Sequence, residues 1–437
     1  MDKLKEAFYI KSLELRNEMR NTLKEHGSRK VDEVQLSQVF GGMRGVKSMI
    51  WETSQLDPVD GIRFRGYSIP ELKDKLPKRD GDKEPLPEGL FWLMLLGEIP
   101  TQDEVNWLSE EWDRRRKVPA HTYKVLDSLS KDTHPMTQFN IAISSLQTNS
   151  IFVKRYAEGM SKGDYWDPTY EDAMNLIACL PRIAAYIFRR SYFNGEHIEP
   201  NDQLDWAGNF AHMLGVTDAE DFKSFMRLYM TIHADHEGGN ASAHTVHLVG
   251  STLSDAYLSF GAGMNALAGP LHGLANQEVI KWIFEMIDAL GTNEPTDEQI
   301  RRYINETLEA GKVIPGYGHA VLRRPDPRFI AQKRFCEDYI GDDPTIRIVW
   351  KLFEIVPSIL QGLGKVKNPW PNVDAHSGAV LVYYGLNEYK FYTVLFGVSR
   401  ALGVLSSLCW SRALGLPLER PKSVTYQWVK EFLDSAG

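Results

Sequence analysis

The sequence predicts an almost entirely α-helical fold, many helices packed in layers, and three observations carry that expectation. Apolar residues recur at three- and four-residue steps, as in Ile346, Val349, Leu352, Phe353 and Val356. Strand signals are few, the best being Met49 to Thr53 and Ile62 to Tyr67. Two long stretches, Ala256 to Gln277 and Phe391 to Ser411, are almost free of charge and rich in small residues.

The first observation is the period that returns side chains to one face of a helix. Asp343 and Pro344 stand where that helix would need an N-cap and a first residue without a free N–H. The second follows from brevity: turn-rich stretches at Leu56 to Gly61 and Pro77 to Pro87 bound the short strand candidates. The third needs a membrane check, since Ala256 to Gln277 is long enough to span a bilayer. It mixes Ser259, Asn265, Pro270, His272 and Asn276 with Gly and Ala, and Arg400 interrupts the second stretch. Both read as buried helices or subunit contacts of a soluble protein. No internal repeat of solenoid length is visible.

A chain of 437 residues, 43% of them hydrophobic, buries a large core and has room for two or three domains. The clearest punctuation falls at Gly269-Pro270, Pro315-Gly316 and Pro369 to Asn372. Residues 273–380 are therefore expected to form a smaller domain inserted into a larger one made of 1–272 and 381–437. A net charge of −8 argues against nucleic acid as a partner, so any anionic ligand must be met by locally gathered Arg and Lys. Cys179, Cys336 and Cys409 are odd in number and set among apolar residues, which reads as buried thiols in a reducing compartment. Met1 to Gly27 lacks a secretory h-region and is too acidic for a transit peptide. A processed organellar chain would look the same, leaving bacterial cytoplasm and mitochondrial matrix both open.

Five of the twelve histidines fall in HADHEGGNASAHTVH and GPLHGLANQ, between His233 and His272. His233/His236 and His244/His247 have three-residue separations, but neither is HExxH and no cysteine completes a zinc pattern, so no metal is expected. His233, His244 and His247 read as packing histidines. His272 follows the Gly269-Pro270 break, a helix end with backbone groups around it. In VIPGYGHAVLRRPDPR, Pro315, Gly316 and Gly318 allow a tight turn with exposed N–H groups. His319, Arg323, Arg324 and Arg328 crowd positive charge behind it. In GKVKNPWPNVDAHSG, Lys365 and Lys367 precede a rigid turn, and Asp374 occupies a place where a helix cap is the ordinary role. Arg400, on an apolar helix, needs a carboxylate or phosphate partner because burying an unpaired guanidinium is costly. Arg420, in LERPKS, has the same chemistry or is a surface residue.

Together these segments, with GGMRG, GIRFRGYSIPEL, PLPEGLFWL, NPWPNVDAHSG and LFGVSRALG, resemble the citrate synthase family over nearly the whole chain, in its mitochondrial-type branch. GYGHAVLRRPDPR carries most of the likeness. The resemblance implies a homodimer of helical subunits, each with a large and a small domain that close over the substrates. It implies an acyltransferase that condenses acetyl-CoA with oxaloacetate and water, the rival being a 2-methylcitrate synthase acting on propionyl-CoA. By the same resemblance His272, His319 and Asp374 would be catalytic. His236, Arg328 and Arg400 would bind the keto acid, with Arg420 reaching in from the partner subunit. Arg44, Val313, Gly316, Tyr317, Arg323, Lys365 and Lys367 would hold coenzyme A, a co-substrate rather than a tightly bound cofactor.

Overall fold

The computed structural model describes residues 2–319, 321–364 and 368–435. It is all-α apart from one small antiparallel sheet of Ser54–Asp57, Gly61–Phe64 and Tyr67–Ser68, in that order.

The centre of the molecule is the Tyr392–Leu414 helix, in which every residue but Ser411 is buried. By length and composition it could cross a membrane, but its apolar window is wholly covered by other helices of the chain, as for a core helix. Around it lie Trp166–Tyr192, Lys3–His26, Ala241–Ser251, Ala256–Leu267, Glu220–Ile232 and Pro87–Leu96. Close approach is built from small residues. A Cβ on Gly403 would fall 2.4 Å from the Ala234 carbonyl, and one on Gly263 would fall 2.4 Å from Val246. The uncharged stretch from Ala256 is thus two helices and a turn: Ala256–Leu267, then Gly269-Pro270, then Ala275–Leu290.

A second group of helices packs largely on itself. Asp374–Tyr383 lies against Ala275–Leu290, Pro327–Tyr339 and Pro344–Gly362, and Asp297–Glu309 lies against Pro344–Gly362. The Pro344–Gly362 helix starts as its sequence predicts, with the Asp343 carboxylate accepting from the Ile346 N–H at 3.0 Å and Pro344 in the first turn. The three cysteines are free and buried.

The strand expected at Met49 to Thr53 is displaced: the first strand begins at Ser54. Trp51 Nε1, Thr53 Oγ1 and Ser54 Oγ all donate to Oδ2 of the buried Asp235, at 3.0, 2.5 and 2.8 Å. A distant carboxylate, not a ladder, therefore sets the path of that segment. The hairpin turn forms because Asp57 Oδ1 accepts from the Val59 and Asp60 N–H groups, and Gly61 supplies the positive φ of 80°.

Candidate active site

Three loops meet between the two helix groups. His272 sits in the turn after Gly269-Pro270, held by its N–H to the Gly269 carbonyl at 3.0 Å. Its Nε2 faces the start of the Ala241–Ser251 helix, where the Ser242 backbone N–H donates to it at 3.2 Å and Ser242 Oγ lies at 2.9 Å. That N–H is one of the groups a helix leaves unsatisfied at its N-terminus. Because a main-chain N–H points at Nε2, the imidazole proton belongs on Nδ1. Burial and the nearby Arg400 push the His272 pKa down to about 4. His272 is thus a neutral N–H donor at pH 7.

His319 reaches the same state by another route. Its Nδ1 accepts from the Val321 and Leu322 N–H groups at 3.0 and 3.1 Å, so the proton belongs on Nε2. Burial, then Arg328, depress its pKa to about 4. His236 lies beside it, ring centroids 5.4 Å apart, with its buried Nε2 lacking any protein partner among the described residues.

Asp374 opens the Asp374–Tyr383 helix, but it is not the cap. Val373 holds the cap position without a side-chain bond, and Asn372, one residue earlier, accepts at its Oδ1 from the Asp374 N–H at 3.0 Å. The Asp374 carboxylate has no hydrogen-bond donor among the described residues, and burial pushes its pKa up to about 6. The loops of His319 and Asp374 are zipped together. Gly318 N–H donates to Trp370 O at 3.0 Å, Asn372 N–H to Gly316 O at 2.9 Å, and Asn372 Nδ2 to Gly318 O at 3.2 Å. Gly316, at φ 79°, abuts Ala375 so closely that a Cβ would sit 3.0 Å from its Cα.

Two arginines supply positive charge. Arg328 is clamped by Asp326, with Nε at 3.0 and 3.2 Å from the two carboxylate oxygens and Nη2 at 2.7 Å, which leaves Nη1 to point elsewhere. Its charge is felt at Asp374, His319 and His236. Arg400 is only 1% exposed. Nε donates to His233 O at 3.2 Å, and Nη1 to Asn240 Oδ1 at 3.0 Å and Ser242 Oγ at 3.3 Å. No carboxylate lies within ion-pair distance of it among the described residues, although Asp235 acts on it at longer range, and burial lowers its pKa to about 10. A buried guanidinium satisfied only by neutral acceptors is a site for an anion.

The chain matches the family profile "Citrate synthase, C-terminal domain" over residues 42–422. It is 57% identical to "Citrate synthase, mitochondrial" of Daucus carota over 406 residues, 93% of this chain and 86% of that one. The chain belongs to the citrate synthase family. "Citrate synthase, mitochondrial" of Xiphias gladius is 55% identical over 93% of this chain and 87% of its own. In fold it is similar to the citrate synthase of Pyrobaculum aerophilum, with a TM-score of 0.77 at 27% identity, covering 91% of this chain and 95% of that one. The Thermotoga maritima citrate synthase gives 0.71 at 24% identity, over 90% and 96%.

Set against the residues the family resemblance singles out, the structure gathers His236, His272, His319, Arg328, Asp374 and Arg400 around one region. Gly316 and Tyr317 lie in the paired loops, Tyr317 with its hydroxyl buried and without a hydrogen-bond partner among the described residues. Arg323 Nη1 donates to Val321 O and Leu322 O at 2.7 and 2.8 Å. Val313 is exposed, as are Arg44 and Arg420. Lys365 and Lys367 lie outside the described residues. Four supporting residues escape sequence reasoning: Asn240 and Ser242 under Arg400, Asp326 on Arg328, and Asn372 bonded to the Asp374 N–H. Asn240 and Asn372 do carry a local signal, since each stands just before a helix.

Proposed function

We propose that this member of the citrate synthase family condenses acetyl-CoA with oxaloacetate and water to give citrate and free coenzyme A, the condensation that begins the tricarboxylic acid cycle. The observation that carries the mechanism is the set of protonation states: two neutral imidazoles with opposite tautomers, and one carboxylate of raised pKa.

A thioester methyl is a weak carbon acid, so a base must act while a donor stabilises the enolate oxygen. Asp374 takes the methyl proton, and Nδ1–H of His272 donates to the thioester oxygen. The enolate carbon attacks the ketone of oxaloacetate, whose oxygen takes a hydrogen bond and then the proton from Nε2–H of His319. Arg328 and Arg400, with His236, hold the carboxylates, joined by Arg420 of the partner subunit. The guanidinium fork suits a dicarboxylate becoming a tricarboxylate. Water then cleaves the citryl thioester.

Acetyl-CoA must survive until the keto acid is bound. The self-packed helices within 273–380 support a small domain that closes on the rest of the chain and excludes water. The residues of the 313–317 loop, with Arg44, Arg323, Lys365 and Lys367, are the coenzyme A contacts in this reading. The exposed tail, with Tyr426, Trp428 and Phe432, supports a homodimer. For a eukaryotic chain the compartment is the mitochondrial matrix.

The substrate assignment is tested by comparing acyl-CoA substrates. kcat/KM for acetyl-CoA is expected to exceed that for propionyl-CoA by about tenfold or more, since one methylene in a fitted pocket costs about 1–3 kcal/mol. A higher value with propionyl-CoA makes the enzyme a 2-methylcitrate synthase.

A further inference from the structure

Two histidines of the HADHEGGNASAHTVH run have no part in the chemistry above. His244 and His247 lie about one turn apart on the Ala241–Ser251 helix and both face Glu419. His244 Nε2–H donates to Glu419 Oε1 at 2.8 Å, and His247 Nε2 stands 3.8 Å from Oε2. At the far end of the same helix, Ser251 Oγ accepts from the Glu419 backbone N–H at 3.0 Å. The partners His244 and Glu419 are 175 residues apart in sequence.

Glu419 is the hydrogen-bonded anchor nearest to Arg420. Among residues 417–428 it alone is not exposed. The next residue is Arg420, and Pro421 follows with its fixed φ. The first turn of the gripping helix already carries Ser242, which contacts His272 and Arg400. One short helix therefore touches the chain's own site at one end and holds the tail along the rest of its length.

We propose that Glu419, clasped by His244 through its carboxylate and by Ser251 through its backbone N–H, is the positioning residue that aims Arg420 at the oxaloacetate pocket of a partner subunit. The inference rests on the role given to Arg420 above. An arginine on a loose tail would lose its conformational freedom at each binding event, whereas a clasp one residue upstream removes most of that loss beforehand. The gain appears in the affinity for the keto acid and leaves the chemical step alone.

Steady-state kinetics of the full chain, with thermal unfolding alongside, test this. Glu419→Ala is expected to raise KM for oxaloacetate by about fivefold, with kcat and KM for acetyl-CoA within about twofold of the parent and the unfolding midpoint unchanged. His244→Gln, cut from the other side of the clasp, is expected to do the same. Arg420→Ala raises KM further, and the double variant Glu419→Ala/Arg420→Ala is expected to be no worse than Arg420→Ala. Unchanged KM in Glu419→Ala beside a raised KM in Arg420→Ala overturns the clasp, as does multiplication of the two effects. A general fall in kcat and unfolding temperature marks a merely structural contact and overturns it too. Unchanged KM in Arg420→Ala instead overturns the role given to Arg420, beneath the clasp.

Discussion

Asp374→Ala is expected to lower kcat by about three orders of magnitude while oxaloacetate binding stays within about twofold. The carboxylate has no hydrogen-bond donor among the described residues and no direct ion pair, so removing it leaves the fold and the arginines in place. What disappears is the base. The raised pKa of about 6 makes Asp374 a stronger base than an ordinary carboxylate yet still ionised at neutral pH. Its sign fixes the pH profile. The ionised form of the free enzyme prevails above about 6, so kcat/KM for acetyl-CoA is expected to fall as the pH drops through that value. His272 and His319 titrate near 4, and they stay neutral across the same window. Stability runs the other way. A carboxyl whose folded pKa lies above its unfolded value destabilises the native state when ionised, and that cost is relieved as the pH falls through about 6. Asp374→Asn is therefore expected to unfold no earlier than the parent at pH 8. Colorimetric thiol release, calorimetric titration with oxaloacetate and thermal scans check the three statements.

Arg400→Leu is expected to weaken oxaloacetate binding by about a hundredfold or more, because truncating one partner of a buried charge pair costs about 2–5 kcal/mol. The informative part is its effect on the protein without substrate. Arg400 is buried and hydrogen-bonds only to a carbonyl, an amide oxygen and a hydroxyl, with Asp235 acting on it at longer range, so a bound anion is its direct charge partner. Leucine in its place removes that desolvation cost. The unliganded variant is expected to unfold at or above the parent's midpoint, while the upward shift that oxaloacetate gives the parent is lost. A variant that unfolds much earlier would make Arg400 a structural ion, contrary to its lack of a carboxylate partner.

Much of this was legible from local chemistry. The Asp343-Pro344 start and the apolar run through Arg400 identify helices whose ends or burial are decided nearby. The Gly269-Pro270 break put His272 at a turn, where it proved able to meet the first turn of another helix. What was not legible depends on partners far along the chain. Met49 to Thr53 has strand-like residues, but Asp235 takes the side chains at its end. Arg400 finds Asn240 across 160 residues, and no spacing rule predicts that. Asp374 stands where a cap is the ordinary role, but it is the first residue inside the helix, after Val373, and its carboxylate is left open to the site. The roles of the three reacting side chains follow from their environments. Their assembly was expected only through the family resemblance.

The most direct measurement is a crystal structure with oxaloacetate and a non-reactive acetyl-CoA analogue. The ketone oxygen should lie within hydrogen-bond distance of Nε2 of His319, with the carboxylates on Arg328 and Arg400. The analogue's carbonyl should take its hydrogen bond from Nδ1 of His272, and its methyl position should face Asp374. Oxaloacetate bound away from Arg400, or Asp374 on the far side of the pocket from the methyl position, would contradict the mechanism.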